Sequence, residues 1–297
     1  MKHRPVLLNE TIEGLGLSED SVVLDCTFGG GGHSKEILRR YRKAKVVAID
    51  EDRNVEGGEN ISLYHENFRN LDRVLQKENI EKVDGVIFDL GFSSDQLESS
   101  GRGFSFLKDE PLLMTLKAKP GEEDLTAKMV INNWSEKSLA DIIYGYGEER
   151  YARRIARVIA EERFRKPIET TGELVEIIKK AVPSRYRTKK IHFATRTFQA
   201  LRIAVNDELG ALKEGLEKGF EALKPESRMA VISFHSLEDR IVKKFYKEKA
   251  SPVGLWPRVE ESKAVLINKK PIRASDEEIK NNIRSRSAKL RIIKKIK

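Results

Sequence analysis

The sequence has a single cysteine, Cys26, in 297 residues. One thiol cannot close an internal disulfide or build a zinc cluster on thiolates, so both scaffolds are excluded. No metal site is indicated. No apolar run approaches the roughly 18 residues that a membrane span needs. The opening stretch MKHRPVLLNETIEGL lacks a long apolar core and a small-residue cleavage site, so no signal peptide is expected. A cytoplasmic setting follows as the expectation. Internal repeats and low-complexity segments are missing as well. Aromatic residues are sparse at 7%, against 39% hydrophobic and 35% charged residues, which is a soluble, globular composition. The length suits one large domain or two ordinary ones.

What is present is charge, unevenly placed. The net charge is +9. Residues 1–149 carry 19 Lys and Arg against 28 Asp and Glu, and the remainder carries 37 against 19. An acidic front half and a basic back half suggest two tasks: holding something uncharged or cationic, and neutralising phosphates. A basic helical surface that is merely solvated is the competing explanation.

Short apolar runs alternate with helical spacing at the front. Segments 21–29, 44–52, 61–67 and 82–91 read as strands, three of them near-continuous apolar runs ending in Asp. Such runs suit parallel strands buried on both faces. Segments 33–43 and 71–79 read as helices, giving a β-α-β-α pattern and a doubly wound α/β sheet. From 122 to 205 no strand is evident. Helices are expected at 135–147 with Ser135 as N-cap, at 148–166, and at 170–182 before Pro183. An apolar stripe from 198 to 223 predicts one long helix closed by Pro225. Strand character returns at 228–235, helix at 237–249, and two late strands are expected at 262–268 and 287–296. The expected division is a sheet in residues 1–106 and 205–297, interrupted by an all-helical insertion at 107–204.

The first strand runs into VVLDCTFGGGGHS, residues 22–34. A Walker A loop starting at Gly29 would need a second glycine where Ser34 stands, and Lys35-Glu36 follows instead. A dinucleotide fingerprint fits Gly29 and Gly31 and also fails at Ser34. A third candidate, favoured over a dinucleotide, is S-adenosylmethionine, which has no phosphate and carries a sulfonium cation. Bare backbone at the strand end would let it approach closely. Asp25 could take its ammonium or organise the loop amides. Asp50, ending the second strand, suits ribose hydroxyls, and Phe68 after the third could cover the adenine. Asp89 ends the fourth. Each alone has a plain structural explanation, as a turn residue or a core ring. In register on successive strand ends, they line the mouth of an α/β crevice.

At this point the chain resembles a known family. HRPVLLNE (3–10), DCTFGGGGHS (25–34), AIDED (48–52), DLGFSSDQL (89–97), RGFSF (102–106), YGEERYARRIAR (146–157), HFATRTFQALRIAVN (192–206), ISFHSLEDRIVK (232–243) and RSRSAKLR (284–291) look like signatures of the ribosomal RNA small-subunit cytosine-N4 methyltransferases, the RsmH/MraW family. The resemblance implies a Rossmann-like class I methyltransferase sheet with an inserted all-helical, RNA-binding domain. It implies transfer of a methyl group from S-adenosylmethionine to N4 of a cytidine in 16S ribosomal RNA, near the P site of the small subunit. Cofactor contacts would fall on Gly31, Gly32, His33, Asp50, Phe68, Asp89 and Gln96.

The chemistry asks mainly for positioning, because the N4 lone pair is delocalised into the ring. No covalent enzyme intermediate is needed. Asp89 is the candidate catalytic carboxylate, shared with the cofactor. Ser236-x-x-Asp239 resembles a capping box, yet His235 and Ser236 follow a strand of the same sheet and could face the base. Arg102, and Arg153, Arg154, Arg185, Arg187, Lys189 and Lys190 within the basic stretches, are candidate substrate contacts. Tyr186 could stack on a base. One departure stands out. After RGFSF the family usually has an acid and an arginine where this chain has Leu113 and Thr115, and the two lost residues are expected to partner each other. That departure leaves an alternative open: an RNA-binding ribosome-assembly factor with the same fold and weak or lost activity. A DNA methyltransferase is disfavoured, since DLGF replaces the Asp-Pro-Pro-Tyr-like motif of that class.

Overall fold

A computed structural model of the chain describes residues 5–91, 100–117, 120–121, 123–188, 191–252 and 261–297. It divides into two compact units, Met1–Gly91 with Leu209–Lys297, and Phe92–Glu208. The strands are β1 (Val22–Asp25), β2 (Lys45–Asp50), β3 (Ile61–His65), β4 (Val83–Asp89), β5 (Leu223–Ser233), β6 (Ala264–Leu266) and β7 (Lys289–Lys295). Helices α1 (Leu8–Leu15), α2 (Gly32–Arg40) and α3 (Leu71–Lys77) belong to the first unit. The second holds α4 (Ala127–Asn133), α5 (Glu136–Gly145), α6 (Ala152–Arg165), α7 (Thr171–Ala181), α8 (Ser184–Arg187) and α9 (Thr195–Asn206). Then follow α10 (Glu208–Ala222), α11 (Ser236–Lys249) and α12 (Asp276–Asn281).

The first unit is a seven-stranded sheet in the order β3-β2-β1-β4-β5-β7-β6. Neighbours from β3 through β5 are parallel, and β7 runs antiparallel to both β5 and β6. Apolar residues fill both faces of the central strands. Leu24, Val47, Ile49, Val86, Phe88 and Val231 pack on one side. Val23, Val46, Ala48, Ile87, Ala230 and Ile232 pack on the other. Burying each of these Val, Leu, Ile and Phe side chains contributes about 1.5–3 kcal/mol, and this two-sided burial is why the strands read as unbroken apolar runs. The chain order reverses between β1 and β4, which puts a crevice at the carboxyl ends of those two strands.

Between 198 and 225 two boundaries differ from the sequence expectation. The apolar stripe from 198 to 223 belongs to two helices, α9 and α10, separated at Asp207, which is left-handed with φ 47. The apolar spacing carries through the break, so periodicity alone could not show it. Pro225 does not stop a helix; it lies inside β5, where Glu226 at φ 69 and a register shift between Val83 and Gly85 accommodate it.

The second unit has its own core, with Ile143, Ile155, Ile159, Leu174, Ile178 and Leu201 among its fully buried residues. Ser135 caps α5 as its sequence position suggests. Thr170 and Glu173 form a capping box on α7. Helix α6 starts at Ala152, later than the expected 148, where Glu148 is left-handed at φ 49, and Glu149 beside it is fully buried. The Glu149 carboxylate accepts from the Tyr151 amide at 2.8 Å and from the Tyr186 hydroxyl at 2.6 Å. Tyr186 is therefore a core residue, 7% exposed, and not a stacking platform. RGFSF lies in this helical unit.

Gly215 of α10 sits against two rings. A Cβ there would meet Phe68 Cδ2 at 2.7 Å and Phe88 Cε1 at 3.2 Å. Gly215→Ala is expected to destabilise the protein by about 1–2 kcal/mol in urea unfolding, because the overpacking cost exceeds alanine's roughly 1 kcal/mol helix advantage. A variant of equal or greater stability would show that Phe68 gives way freely.

Candidate active site

The crevice begins where β1 ends. Asp25 is 1% exposed. The Ser34 hydroxyl donates to its Oδ2 at 2.6 Å, and the Thr27 amide donates to its Oδ1 at 3.2 Å. Ser34, the residue that spoils both glycine fingerprints, thus ties α2 back to β1. Thr27 turns the other way: its hydroxyl oxygen accepts from the Asp89 amide at 2.6 Å, joining the ends of β1 and β4. With both Asp25 oxygens occupied, this residue organises the loop. Burial pushes its carboxyl up to about 6, although the Ser34 and Thr27 bonds oppose the rise.

Between those anchors the backbone turns through left-handed conformations at Gly29 (φ 51) and Gly31 (φ 72). Only glycine adopts these without strain. A Cβ on Gly31 would strike the Phe28 ring at 2.5 Å, whereas one on Gly29 would stand in open space. The Asp50 carboxylate at the end of β2 accepts from the Gly29 amide at 2.6 Å and from the Asp52 amide at 2.8 Å. Each oxygen keeps a lone pair for a hydroxyl donor. Burial raises the Asp50 carboxyl against those two bonds. Phe68 opens a short 3-10 turn after β3 and meets Phe88 edge-on at 5.5 Å. It is half-buried, with Gly215 of α10 also beside the ring.

His33, in the first turn of α2, is 5% exposed. Its Nε2 lies 3.2 Å from the Val6 carbonyl, and its Nδ1 lies 3.7 Å from Asp89 Oδ2. A carbonyl can only accept, so Nε2 carries the proton and Nδ1 turns toward Asp89. The Asp89 side chain is 15% exposed, but its Oδ1 is buried with no hydrogen-bond partner among the described residues. Burial first, then the negative charges of Asp25 and Glu238, push this carboxyl up to about 8. Glu238 was not evident from sequence as a member of the site. It is 7% exposed, and its Oε2 accepts from the Phe234 and His235 amides at 2.8 and 3.2 Å.

Those bonds correct the expected cap. The box opening α11 is His235 with Glu238, one residue earlier than Ser236 with Asp239. Asp239 instead pairs with Lys289 and Arg291 at 2.9 and 2.8 Å. His235 Nδ1 accepts from the Glu238 amide at 3.4 Å, and its Nε2 is buried without a hydrogen bond, 3.2 Å from Glu238 Oε1. Ser236 is the first residue of α11.

The residues expected to hold phosphates divide. Arg153, Arg154, Arg185 and Arg187 are exposed in the helical unit. Arg102 is 5% exposed and gives its guanidinium to the Thr115 and Leu116 carbonyls at 3.3 and 2.6 Å, over the Phe104 ring. It staples a loop and is not a surface contact. Thr115 is buried beneath it, and Leu113 is half-buried. Gln96, Lys189 and Lys190 lie outside the described residues. Gly32 opens α2 against Pro5.

The arrangement fits S-adenosylmethionine. It offers a carboxylate oxygen with no hydrogen-bond partner among the described residues, two further acids acting on Asp89, and a bare stretch of loop. Anions would be repelled, and a cation would be welcome.

Comparison with known proteins agrees. A family model described as the MraW methylase family matches residues 1–296. A ribosomal RNA small subunit methyltransferase H from Clostridium botulinum strain 657 / Type Ba4 is 48% identical over 310 residues, covering 99% of each chain. Its counterpart from strain Kyoto / Type A2 is 47% identical with the same coverage. A solved rRNA methylase from Streptococcus thermophilus aligns over 100% of this chain and 99% of its own, at 13% identity and a TM-score of 0.41, too slight a likeness to bear on the fold.

The raised carboxyl of Asp89 has a consequence for stability. Folded, the group titrates near 8, above the ordinary unfolded value. The folded state therefore holds a proton that the unfolded chain lacks, and the stability this gives is lost as pH rises from about 4 through 8. Asp89→Asn removes that loss. Its melting temperature is expected to exceed the parent's, by a margin that widens from pH 5 to pH 8 and corresponds to at most about 1.4 kcal/mol per pH unit. A constant margin across that range would contradict the assignment.

Proposed function

This chain belongs to the MraW methylase family, and we propose on that footing that it methylates N4 of one cytidine in 16S ribosomal RNA, near the P site of the small subunit. The coarser activity is that of an S-adenosylmethionine-dependent ribosomal RNA methyltransferase. The observation that carries the reading of the site is the buried Oδ1 of Asp89 at the strand-order reversal, which has no hydrogen-bond partner among the described residues.

When bound, S-adenosylmethionine supplies a methyl group on a cationic sulfur. The residues that would hold it are Gly31, Gly32, His33, Asp50, Phe68, Asp89 and Gln96. Asp25 shapes the loop that receives it. Asp50 takes ribose hydroxyls with the lone pairs left free by the Gly29 and Asp52 amides. Phe68, half-buried after β3, covers the adenine.

Asp89 serves the acceptor as well. A carboxylate beside the N4 hydrogens favours a pyramidal nitrogen and offsets the positive charge that develops on it. Most of the acceleration comes from holding the amine in line. The cytosine leaves its stack to reach the site, where His235, the cap of α11, and Ser236, its first residue, face it.

The helical unit binds the RNA backbone. Arg153, Arg154, Arg185 and Arg187 present exposed guanidinium groups, with Lys189 and Lys190 in the same basic stretch. Such contacts fix the position of the RNA without reading its bases. The setting is the cytoplasm, and no described helix is long and apolar enough to cross a membrane.

The test is methyl transfer from labelled S-adenosylmethionine to small subunits that lack the modification, followed by mapping of modified cytidines. One N4-methylated cytidine near the P site is expected. Label at another position, or on large subunits alone, would refute the assignment. In the same assay Asp50→Ala is expected to weaken cofactor binding by about tenfold or more. The Arg153→Ala/Arg154→Ala double variant should weaken subunit binding and flatten its salt dependence by roughly two contacts. An unchanged salt slope would remove the pair from the RNA interface.

A further inference from the structure

We propose that Arg150, Tyr151 and Arg185, gathered where α6 begins, form a seat for one backbone phosphate of the RNA. This rests on the reading that the helical unit binds RNA.

The seat starts from two aromatic rings. Tyr151 and Tyr186 meet edge to face at 5.0 Å. The Arg150 guanidinium lies across both, 4.7 Å from the Tyr151 ring centroid and 5.8 Å from that of Tyr186. It also donates to the Tyr151 hydroxyl oxygen at 2.6 Å. Arg185, from α8, acts on the same hydroxyl through its charge and a hydrogen bond. Two guanidinium groups thus converge on one phenol oxygen. An oxygen that only accepts keeps its own hydrogen to donate. The hydrogen bond from Arg150, then the charges of Arg150 and Arg185, hold the Tyr151 phenol below its ordinary value, which makes it a stronger donor. A phosphate oxygen is the partner that takes an O–H and two guanidinium forks at once.

The floor beneath these groups is fixed. Glu149 is fully buried and accepts from the Tyr186 hydroxyl at 2.6 Å and the Tyr151 amide at 2.8 Å, so its carboxylate is turned inward. Glu148 before it is left-handed at φ 49, and its carbonyl accepts from the Arg196 guanidinium at 2.7 Å. A non-glycine residue in that conformation is strained. That strained corner sets Arg150 and Tyr151 at the start of α6.

The positive charge around the seat is uncompensated. Helix α6 has no acid in its first turn, and its N-cap, Tyr151, gives no side-chain bond to the helix, although acids are favoured at that positive end. Arg153 and Arg154 stand there instead, both exposed. Among the described residues Arg150, Arg153, Arg154 and Arg185 form no ion pair, whereas Arg157 and Arg165 further along α6 pair with Glu161 and Glu162. Cations gathered at a helix N-terminus repel one another and the helix dipole. An anion removes that repulsion and collects the hydrogen bonds. Laying Arg150 across two rings in the free protein reduces the side-chain entropy lost on binding.

The test measures binding of small ribosomal subunits lacking the modification to the full-length protein across a range of salt concentrations. Tyr151→Phe keeps the ring and the net charge and removes one hydroxyl. It is expected to weaken binding about three- to tenfold with the melting temperature unchanged. Arg150→Lys also conserves charge, at an exposed side chain, and should lose a similar factor because an ammonium lacks the planar fork. A merely basic surface would feel neither change. The Arg150→Ala/Arg185→Ala double variant should flatten the salt slope by about one phosphate contact, not two, since both groups serve the same phosphate. Parental affinity in either charge-conserving variant, or a slope loss of two contacts, would overturn the seat and leave RNA binding by the helical unit standing. A parent protein that fails to bind subunits would overturn the RNA-binding reading itself.

Discussion

The Ser34 hydroxyl donates to the buried Asp25 carboxylate, and the turn from β1 into α2 is built on that bond. It ties the first turn of α2, which also holds His33, to the end of β1. Thr27 extends the same anchor sideways, with its amide on Asp25 and its hydroxyl on the Asp89 amide. The ends of β1, β4 and α2 are thereby locked together by polar contacts inside an apolar sheet. Buried polar groups of this kind are costly unless satisfied. Here every oxygen of Asp25 is satisfied, and Asp89 Oδ1 is left over among the described residues.

That leftover atom gives the crevice its chemistry. The negative charges of Asp25 and Glu238 raise the cost of ionising Asp89, as does its burial. The apolar sheet on both faces bears this cost, since fully buried strands supply a surplus of hydrophobic stabilisation to spend locally. A cationic ligand relieves the strain as it binds. An anionic dinucleotide would aggravate it. The failed glycine fingerprint and the acidic electrostatics thus exclude the same class of cofactor for independent reasons.

Much of this was legible beforehand. Two-sided apolar runs ending in Asp located β1, β2 and β4, and their order placed Asp25, Asp50 and Asp89 at one mouth. What the sequence concealed has physical causes. The break between α9 and α10 at Asp207 leaves the apolar stripe in phase, so periodicity passes over it. Pro225 looks like a helix stop because a bulged strand and a helix terminus both admit proline. Arg102 and Tyr186 belong to chemically suggestive types, yet tertiary partners decide whether a guanidinium or phenol is spent internally. Glu238 was hidden in a capping box read one residue late, because Ser-x-x-Asp and His-x-x-Glu overlap and only the backbone chooses between them.

Carbon-13 NMR titration of the aspartate side-chain carboxyls in the free protein addresses the heart of this account most directly. One resonance, missing from Asp89→Asn, should titrate with a midpoint near 8 and move to lower pH once S-adenosylmethionine is added. If that resonance titrates below pH 5 in the free protein, the crevice is not held protonated and the account is wrong.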